Sequence, residues 1–446
     1  MKKILYLLVF CTLILSYSCS DSDDDYKTFS VSVQLVYPAN SGLEPTSGIK
    51  VTLTDTNGRL YDTTTNSNGL ASFIVPAGVY NVSVTDKRAV DGYSFYYNGV
   101  KSNIAVTDLW TGEEPVNVDL TETKTGQIVI KELYVGGCPK DDNSGVFQMD
   151  KYVVLYNNSD QPASLENLCL GMAMPYNAHG SANHDYVGES LIYESAGWIP
   201  AGQGIWYFPN NVTIEPGKDL VIALNGAIDH TQTYSQSINF SNADYYCTYD
   251  TDVYNHTSYY PAPSSVIPSS HYLQAEHYGL GNGWALSGIS PAFFVFKTDG
   301  VSPTSFVNNP ANENYYKDDA SSLSNARRKV PVEWILDGIE VFTTTATTNK
   351  KRLTVAVDGG KVYFENKKGY TVYRNVDKEA TEAIEGNKGK LVYNYDLGTE
   401  VDGNPSTDLS GIDAEASLRN GARIVYMDTN NSSNDFHQRK KASLRN

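Results

Sequence analysis

Apolar residues recur at every second position in run after run of this chain, and turn residues close each run. Val31, Val33 and Leu35 alternate with polar residues, as do Val51 and Leu53, then Tyr80, Val82 and Val84, then Val116, Val118 and Leu120. A period of two places one set of side chains on one face, the signature of a strand with one buried side; a helix would need a period near 3.6. Asn57-Gly58, Asn68-Gly69, Ala77-Gly78 and Asn98-Gly99 supply the turns between runs. The pattern predicts a mainly β protein, with a small β-sandwich over residues 28–122. A polar stretch, Thr121 to Gly126, leads to a larger β-sandwich over residues 127–446 with long inserted loops.

The chain opens with Met1-Lys2-Lys3, a nearly unbroken apolar run from Ile4 to Leu15, and Ser16-Tyr17-Ser18-Cys19. This is the order of a secretory signal peptide, here residues 1–18. The run is shorter than the roughly 20 residues a spanning helix needs, and every later apolar run is broken within a few residues by Asp, Asn, Lys or Gly. The small residue before Cys19 resembles a bacterial lipobox, which implies lipidation of Cys19 and a partner in the lipid bilayer; the alternative is a plain secreted protein. Residues 19–27 then form an acidic tether through Asp21, Asp23, Asp24 and Asp25. It resembles the export signal of surface lipoproteins in Bacteroidota-type cells, so the expected address is the outer membrane, facing the cell exterior. A solvated linker is the plainer reading, and both can hold.

With 34 basic and 51 acidic residues the net charge is −17, and loss of Lys2 and Lys3 with the signal deepens it by two. Nucleic acid is thereby excluded as a partner, because phosphate binding needs clustered Lys and Arg. After Cys19 come Cys138, Cys169 and Cys247. An odd number allows one disulfide and one free thiol, with Cys138–Cys169 the expected pair, or three buried thiols. The chain contains no Cys-x-x-Cys motif, which argues against a thiolate zinc or redox site.

The stretch from Thr65 to Val82 runs Asn68-Gly69-Leu70-Ala71-Ser72-Phe73-Ile74-Val75-Pro76-Ala77-Gly78-Val79-Tyr80 through its middle. It resembles Cna-B or transthyretin-like modules, which implies a spacer or stalk without chemistry of its own. Further on, Ile128 to Tyr134, Tyr152-Val153-Val154-Leu155-Tyr156-Asn157, Glu215-Pro216-Gly217 with Leu220 to Leu224, and Asp428-Thr429-Asn430 with Asp435-Phe436 follow in order. This order resembles the lamin-tail domain, which implies an immunoglobulin-like sandwich. A simple sandwich of that kind needs about 100 residues, so much of the region has to be inserted loops. The whole arrangement resembles the uncharacterised Bacteroidota lipoprotein family built on domain of unknown function 4876, a resemblance that implies address and fold and carries no activity.

Six of the seven histidines lie between His179 and His277. This His/Tyr-rich insertion, about residues 176–280, is expected outside the sandwich core, where loops carry function. His179 and His184 flank a short loop next to Asp185, and His271 and His277 flank Glu276 in a segment read as helical turns. Imidazole with carboxylate suits a transition metal, and His or Tyr can ligate haem iron; unliganded loop histidines are the alternative. Tyr245, Tyr246, Tyr259, Tyr260 and Tyr272 offer either a contact surface for a ligand or partner, or rings packed on the sandwich with hydroxyls in water. The runs Asp141 to Gly145 and Asp428 to Ser432 hold part of a calcium shell each, or are turns capped by their own side chains.

No Gly-x-Ser-x-Gly elbow, Ser-x-x-Lys, His-Glu-x-x-His or P-loop occurs. The expected function is therefore a ligand- or partner-binding accessory at the cell surface. One version gathers haem or iron for an outer-membrane transporter. A surface hydrolase of glycans or phosphoesters, and a structural or adhesive element, are the alternatives.

Overall fold

The computed structural model describes residues 27–39, 41–90, 93–179, 184–343, 348–401 and 407–445. The signal segment, Cys19 and most of the acidic tether lie outside the described residues. The chain divides into two compact units. The first holds residues 1–36, 43–84 and 99–119, and the second holds residues 37–42, 85–98 and 120–446.

Eight strands come first: β1 (Thr28–Val36), β2 (Lys50–Asp55), β3 (Leu60–Thr64), β4 (Leu70–Pro76), β5 (Gly78–Val90), β6 (Tyr93–Val106), β7 (Val116–Asp119) and β8 (Thr121–Thr125). They form two sheets, β4-β1-β7 and β3-β2-β5-β6-β8. The alternating residues meet between them: Val31, Val33, Val51, Leu53, Ala71, Val75 and Val82 are fully buried. The turn before β4 needs its glycine, because Gly69 sits at φ +72° and a Cβ there would meet Pro45 at 2.6 Å.

The second unit is organised by one sheet. Its strands are β9 (Ile128–Tyr134), β10 (Tyr152–Asn157), β11 (Leu168–Met172), β12 (Gly204–Tyr207), β13 (Asp219–Ala223), β14 (Tyr246–Thr248), β15 (Tyr272–His277), β16 (Ala292–Lys297), β17 (Ile335–Phe342), β18 (Val362–Tyr363), β19 (Thr371–Arg374) and β20 (Phe436–Arg439). The order is β18-β17-β16-β11-β12-β15-β14-β13-β10-β9-β19-β20. Pairing is antiparallel except for β13 with β14, β14 with β15 and β17 with β18. Strand β15 joins the halves, pairing with β12 on one side and β14 on the other. Side chains of both halves share one core: Ile130, Val153, Leu155 and Ile222 from one, Leu170, Trp206, Phe293, Val295 and Ile339 from the other. The protein is mainly β with sandwich-like packing. The opposite faces are covered as well, Val154 and Val221 by Ile238 and Phe240, and Phe294 and Phe296 by Ile199 and Val330. That is why β9 and β10 read as continuous apolar runs rather than alternating ones. Among the described residues the short helices are α1 (Pro303–Val307), α2 (Lys378–Glu382), α3 (Ala414–Arg419) and α4 (Ser432–Asp435).

Three expectations are corrected. Residues 176–280 do not stand outside the core, because they supply β12, β13, β14 and β15, all inside the sheet. Those strands are only three to six residues long, too short to show a period in the sequence. The segment from His271 to His277 is a strand after a single 3₁₀ turn, Ser269–His271, rather than helical turns. Cys138, Cys169 and Cys247 are three buried free thiols, and no disulfide joins Cys138 to Cys169. Among the described residues no helix is long and apolar enough to cross a membrane.

Candidate functional site

Among the described residues His271 and His277 are not brought together. An extended strand rises about 3.3 Å per residue, so His271 and His277, at the two ends of β15, are separated by roughly 20 Å on that rise. The His271 ring stacks on Tyr246 at 4.0 Å and its Nδ1 faces the Tyr245 carbonyl at 3.1 Å. His277 packs on Tyr254 at 4.9 Å, and His184 meets the edge of Tyr316 at 5.8 Å. His179 lies next to residues 180–183, which are outside the described residues. Among the described residues no three His, Cys, Asp or Glu side chains are placed to hold one metal ion. Asp141 accepts from the Ser235 amide and hydroxyl, and Asp142 caps the Ser144 amide, so that acidic run fastens turns.

The tyrosines divide. Tyr260 is a core residue: its hydroxyl donates to the Trp284 carbonyl at 2.8 Å and accepts from the Trp284 amide at 3.0 Å. Tyr245, Tyr246, Tyr259 and Tyr272 are half-buried. Tyr246 packs on Phe208 as well as His271, and Tyr272 meets Tyr249 edge-on at 5.3 Å. Tyr246 and Tyr259 pack against the core shared by the two halves and Tyr245 and Tyr272 against the opposite face, each with residual exposure.

A sizeable cleft lies elsewhere, where β16 ends and β17 begins. Its volume is about 780 Å³, and its walls include Trp334, Leu336, Val357, Asp299, Glu333 and Asn430. Trp334 is half-buried and held edge-on to Phe306 at 5.4 Å. Glu122 and Lys297, also on the walls, are tied to protein: Glu122 accepts from the Tyr97 hydroxyl at 2.8 Å and Lys297 donates to the Ser164 carbonyl at 3.2 Å. Asp299 and Glu333 are exposed. Asn430 is only 7% exposed, yet its amide nitrogen has no hydrogen-bond partner among the described residues. A buried donor left unpaired costs about 1–3 kcal/mol, so this amide is matched to an acceptor the protein does not supply.

A buried ion network fixes Asn430. The Arg374 guanidinium on β19 pairs with Asp337 of β17 and with Asp428 at 3.3 Å, and stacks on Phe436 at 4.3 Å. Asp435 accepts from the Thr429 amide and hydroxyl at 2.9 and 2.7 Å and from the Asn431 amide at 3.1 Å. The Asn430 carbonyl receives the Gly359 amide at 2.6 Å, and Ser432 is held by Asp358. Burial pushes the Asp435 carboxyl up to about 6, and Asp337 and Asp428 are raised by the same cause against the pull of Arg374. Three buried acids share one guanidinium, so the loop is both tightly bonded and short of positive charge.

A second network lies beside it. Glu340 accepts from the Arg352 side chain at 3.0 Å and from the Arg352 and Leu353 amides, with Lys351 at 3.4 Å. Burial would raise Glu340, but Lys351 and Arg352 hold it below its ordinary value. Trp334 and these networks were not singled out from the sequence, and Asn430 entered only within the run Asp428 to Ser432, read as part of a calcium shell or a turn capped by its own side chains. The available signal was a charge inside an apolar strand, as at Arg374 in Thr371-Val372-Tyr373-Arg374 and Lys131 in Ile128–Tyr134.

These features define a class: a mainly β protein of two compact units, the larger of which carries a mixed aromatic and polar cleft braced by buried ion pairs. Residues 215–394 match the model of the family described as protein of unknown function, DUF4876. The chain is similar to a DUF4876 family protein from Bacteroides thetaiotaomicron VPI-5482, known from a crystal structure at 2.50 Å resolution, with 19% identity and a TM-score of 0.51 over 92% of this chain and 94% of that one. The fold is shared with that protein. A similarity to the major pilin subunit of Bacillus cereus has a TM-score of 0.16 at 11% identity and covers 77% of this chain and 100% of that one, too loose to argue from. No curated protein matches.

Proposed function

We propose that this chain is a non-catalytic binding protein, tethered at the cell surface through a lipid on Cys19, whose 780 Å³ cleft takes a saccharide. The observation that carries the reading is the unpartnered, buried amide of Asn430, a residue on the wall of a cleft that also holds the Trp334 indole. A sugar offers the matching chemistry. Its hydroxyls accept from an amide and donate to carboxylates such as Asp299 and Glu333, and its C–H face packs on an aromatic ring. The volume is within the range of small-ligand sites. The histidines add nothing toward haem or iron, so a saccharide replaces them as the nutrient handed to an outer-membrane transporter.

Residues 20–446 would be screened against neutral and acidic oligosaccharides, and hits titrated by calorimetry. Trp334→Ala and Asn430→Gly, the latter compatible with the positive φ there, should each weaken binding at least tenfold. No bound saccharide, or equal binding by both variants, would sink the proposal. Cleavage of the bound glycan, seen by mass spectrometry, would favour the hydrolase alternative. Cys19→Ala should release the protein from membranes; retention in the membrane fraction would refute the tether.

A further inference from the structure

A second pocket, of about 450 Å³, lies between the turn after Glu215 and helix α3, and is lined by Lys218, Asp219, Glu415, Arg419 and Arg423. Its two carboxylates are already committed. The Lys131 ammonium, only 2% exposed, reaches Asp219 at 2.6 Å and Glu415 at 2.8 Å from behind the pocket. Glu415 also accepts from the Tyr373 hydroxyl at 2.7 Å. The three cations are not committed. Among the described residues no ion pair forms on Lys218, Arg419 or Arg423, and the buried Nε of Arg423 lacks any hydrogen-bond partner. A guanidinium has no acceptor function, so a buried, unpaired N–H on it calls for an oxygen from outside.

Position strengthens the case. Arg423 is held by its backbone, whose amide donates to Asn387 Oδ1 at 2.8 Å and whose carbonyl accepts from Asn387 Nδ2 at 2.6 Å. Its side-chain stem packs where Gly217 leaves room, since a Cβ at Gly217 would meet Arg423 Cγ at 2.9 Å. Arg419 closes the last turn of α3. Three free cations around one concavity are out of keeping with a chain carrying 51 acids and 34 bases. Two guanidinium forks and one ammonium match the several oxygens and double charge of a tetrahedral oxyanion.

We infer that this pocket binds a soluble tetrahedral oxyanion, a phosphate or sulfate group, gripped by Lys218, Arg419 and Arg423. The site is separate from the saccharide cleft and shares no lining residue with it, so either can fail alone.

Inorganic phosphate and sulfate would be titrated into residues 20–446 at fixed ionic strength made up with chloride, followed by calorimetry and by thermal unfolding. Either oxyanion should raise the unfolding temperature where chloride does not, and binding should weaken once salt is high enough to screen the pocket itself. Arg423→Gln should weaken it at least tenfold. Lys218→Gln with Arg419→Gln, both exposed and safe for folding, should do the same. No saturable binding of phosphate or sulfate would overturn the inference, as would binding left unchanged in the folded Lys218→Gln, Arg419→Gln protein. A flotation assay with phosphatidylglycerol vesicles separates the sources of phosphate. Capture by vesicles that depends on these three cations, without binding of the free ions, would overturn a soluble ligand in favour of a lipid headgroup.

Discussion

His437, on the last strand of the large sheet, should make the protein lose stability in acid, and the size of that loss can be worked out. The ring is 1% exposed. Its Nδ1 lies 2.7 Å from Asn375 Oδ1, and Asn375 spends its own amide on the Asn434 carbonyl at 2.7 Å. Nδ1 therefore carries the proton, and Nε2 accepts from the Tyr395 hydroxyl. The neutral ring is fully satisfied, and a second proton on Nε2 would reverse that bond and leave the Tyr395 hydroxyl proton without its acceptor. Burial, aided by the Arg439 charge, pulls the imidazole down to about 3. An unfolded histidine titrates near 6.5. Between those values the unfolded chain binds more protons than the folded one, so stability rises with pH through this window and is lost as pH falls below 6.5. The loss is about 1.4 kcal/mol per pH unit, hence about 2 kcal/mol between pH 7 and pH 5.

The wild-type pH profile alone would hide this. Asp435 and Asp150 are both pushed up to about 6 by burial, and a raised carboxyl makes the folded state bind more protons. Its contribution has the opposite sign: stability grows as pH falls from about 6 toward 4. The comparison with His437→Gln cancels those carboxyls, which titrate in both proteins. At pH 7 the variant should be about 1–2 kcal/mol less stable, the cost of disturbing two buried hydrogen bonds. Urea unfolding at pH 5 should show that gap closed or reversed by about 2 kcal/mol. A gap that stays constant between the two pH values would refute the reasoning, because it would mean His437 carries the same charge folded and unfolded.

Arg374→Met should cost about 3–5 kcal/mol in urea unfolding, since it orphans three buried acids, and adding Asp337→Asn should return part of it; a loss below about 1 kcal/mol would mean the acids find other partners. Tyr260→Phe should cost about 1–3 kcal/mol by leaving the Trp284 amide unpaired, and no measurable loss would show that water reaches it. Burial pushes Cys138 and Cys247 up to about 12 and Cys169 upward too, so Ellman's reagent should react with none of the three thiols in native residues 20–446 and with all three after unfolding. Fewer than three on unfolding would reveal a disulfide.

Strands such as β1, β2, β5 and β7 were legible because each has one wet face, so Val31, Val33 and Leu35 announce their own alternation, whereas β8 is wholly polar and reads as a linker. Legibility fell in the second unit for the opposite reason. Segments such as Ile228 to Phe240 cover the outer side of β10 and β13, so those strands are apolar on both faces and carry no period. The shortest strands, β14 among them, owe their place to neighbours, pairing with β13 and β15 in parallel across long sequence separations. The density of His and Tyr suggested a site in residues 176–280, but aromatic rings that seal a sheet and aromatic rings that grip a ligand look alike in a sequence. Tyr260 proved to be core, while Trp334 gave no local signal and Asn430 stood only as one member of the polar run Asp428 to Ser432. Asn430 matters only because Arg374, Asp435 and Gly359, far apart in the chain, converge to hold it.

The same convergence bears on electrostatics. Lys131, Arg327, Arg328, Arg352 and Arg374 are all buried and paired with carboxylates or carbonyls. Those cations are outnumbered inside the fold by buried acids, among them Glu132, Asp150, Asp185, Asp337, Glu340, Asp358, Asp408, Asp428 and Asp435, yet with 51 acids and 34 bases in the chain the solvent-facing surface stays net acidic. Such a surface repels small anions at long range, with a reach of about a Debye length. The Lys218, Arg419 and Arg423 pocket must then act against that field at short range. Its oxyanion affinity should therefore first rise with added salt, as the distant acids are screened, and fall only when salt begins to screen the pocket itself. A steady fall from the lowest salt upward would show that the acidic surroundings do not reach the pocket.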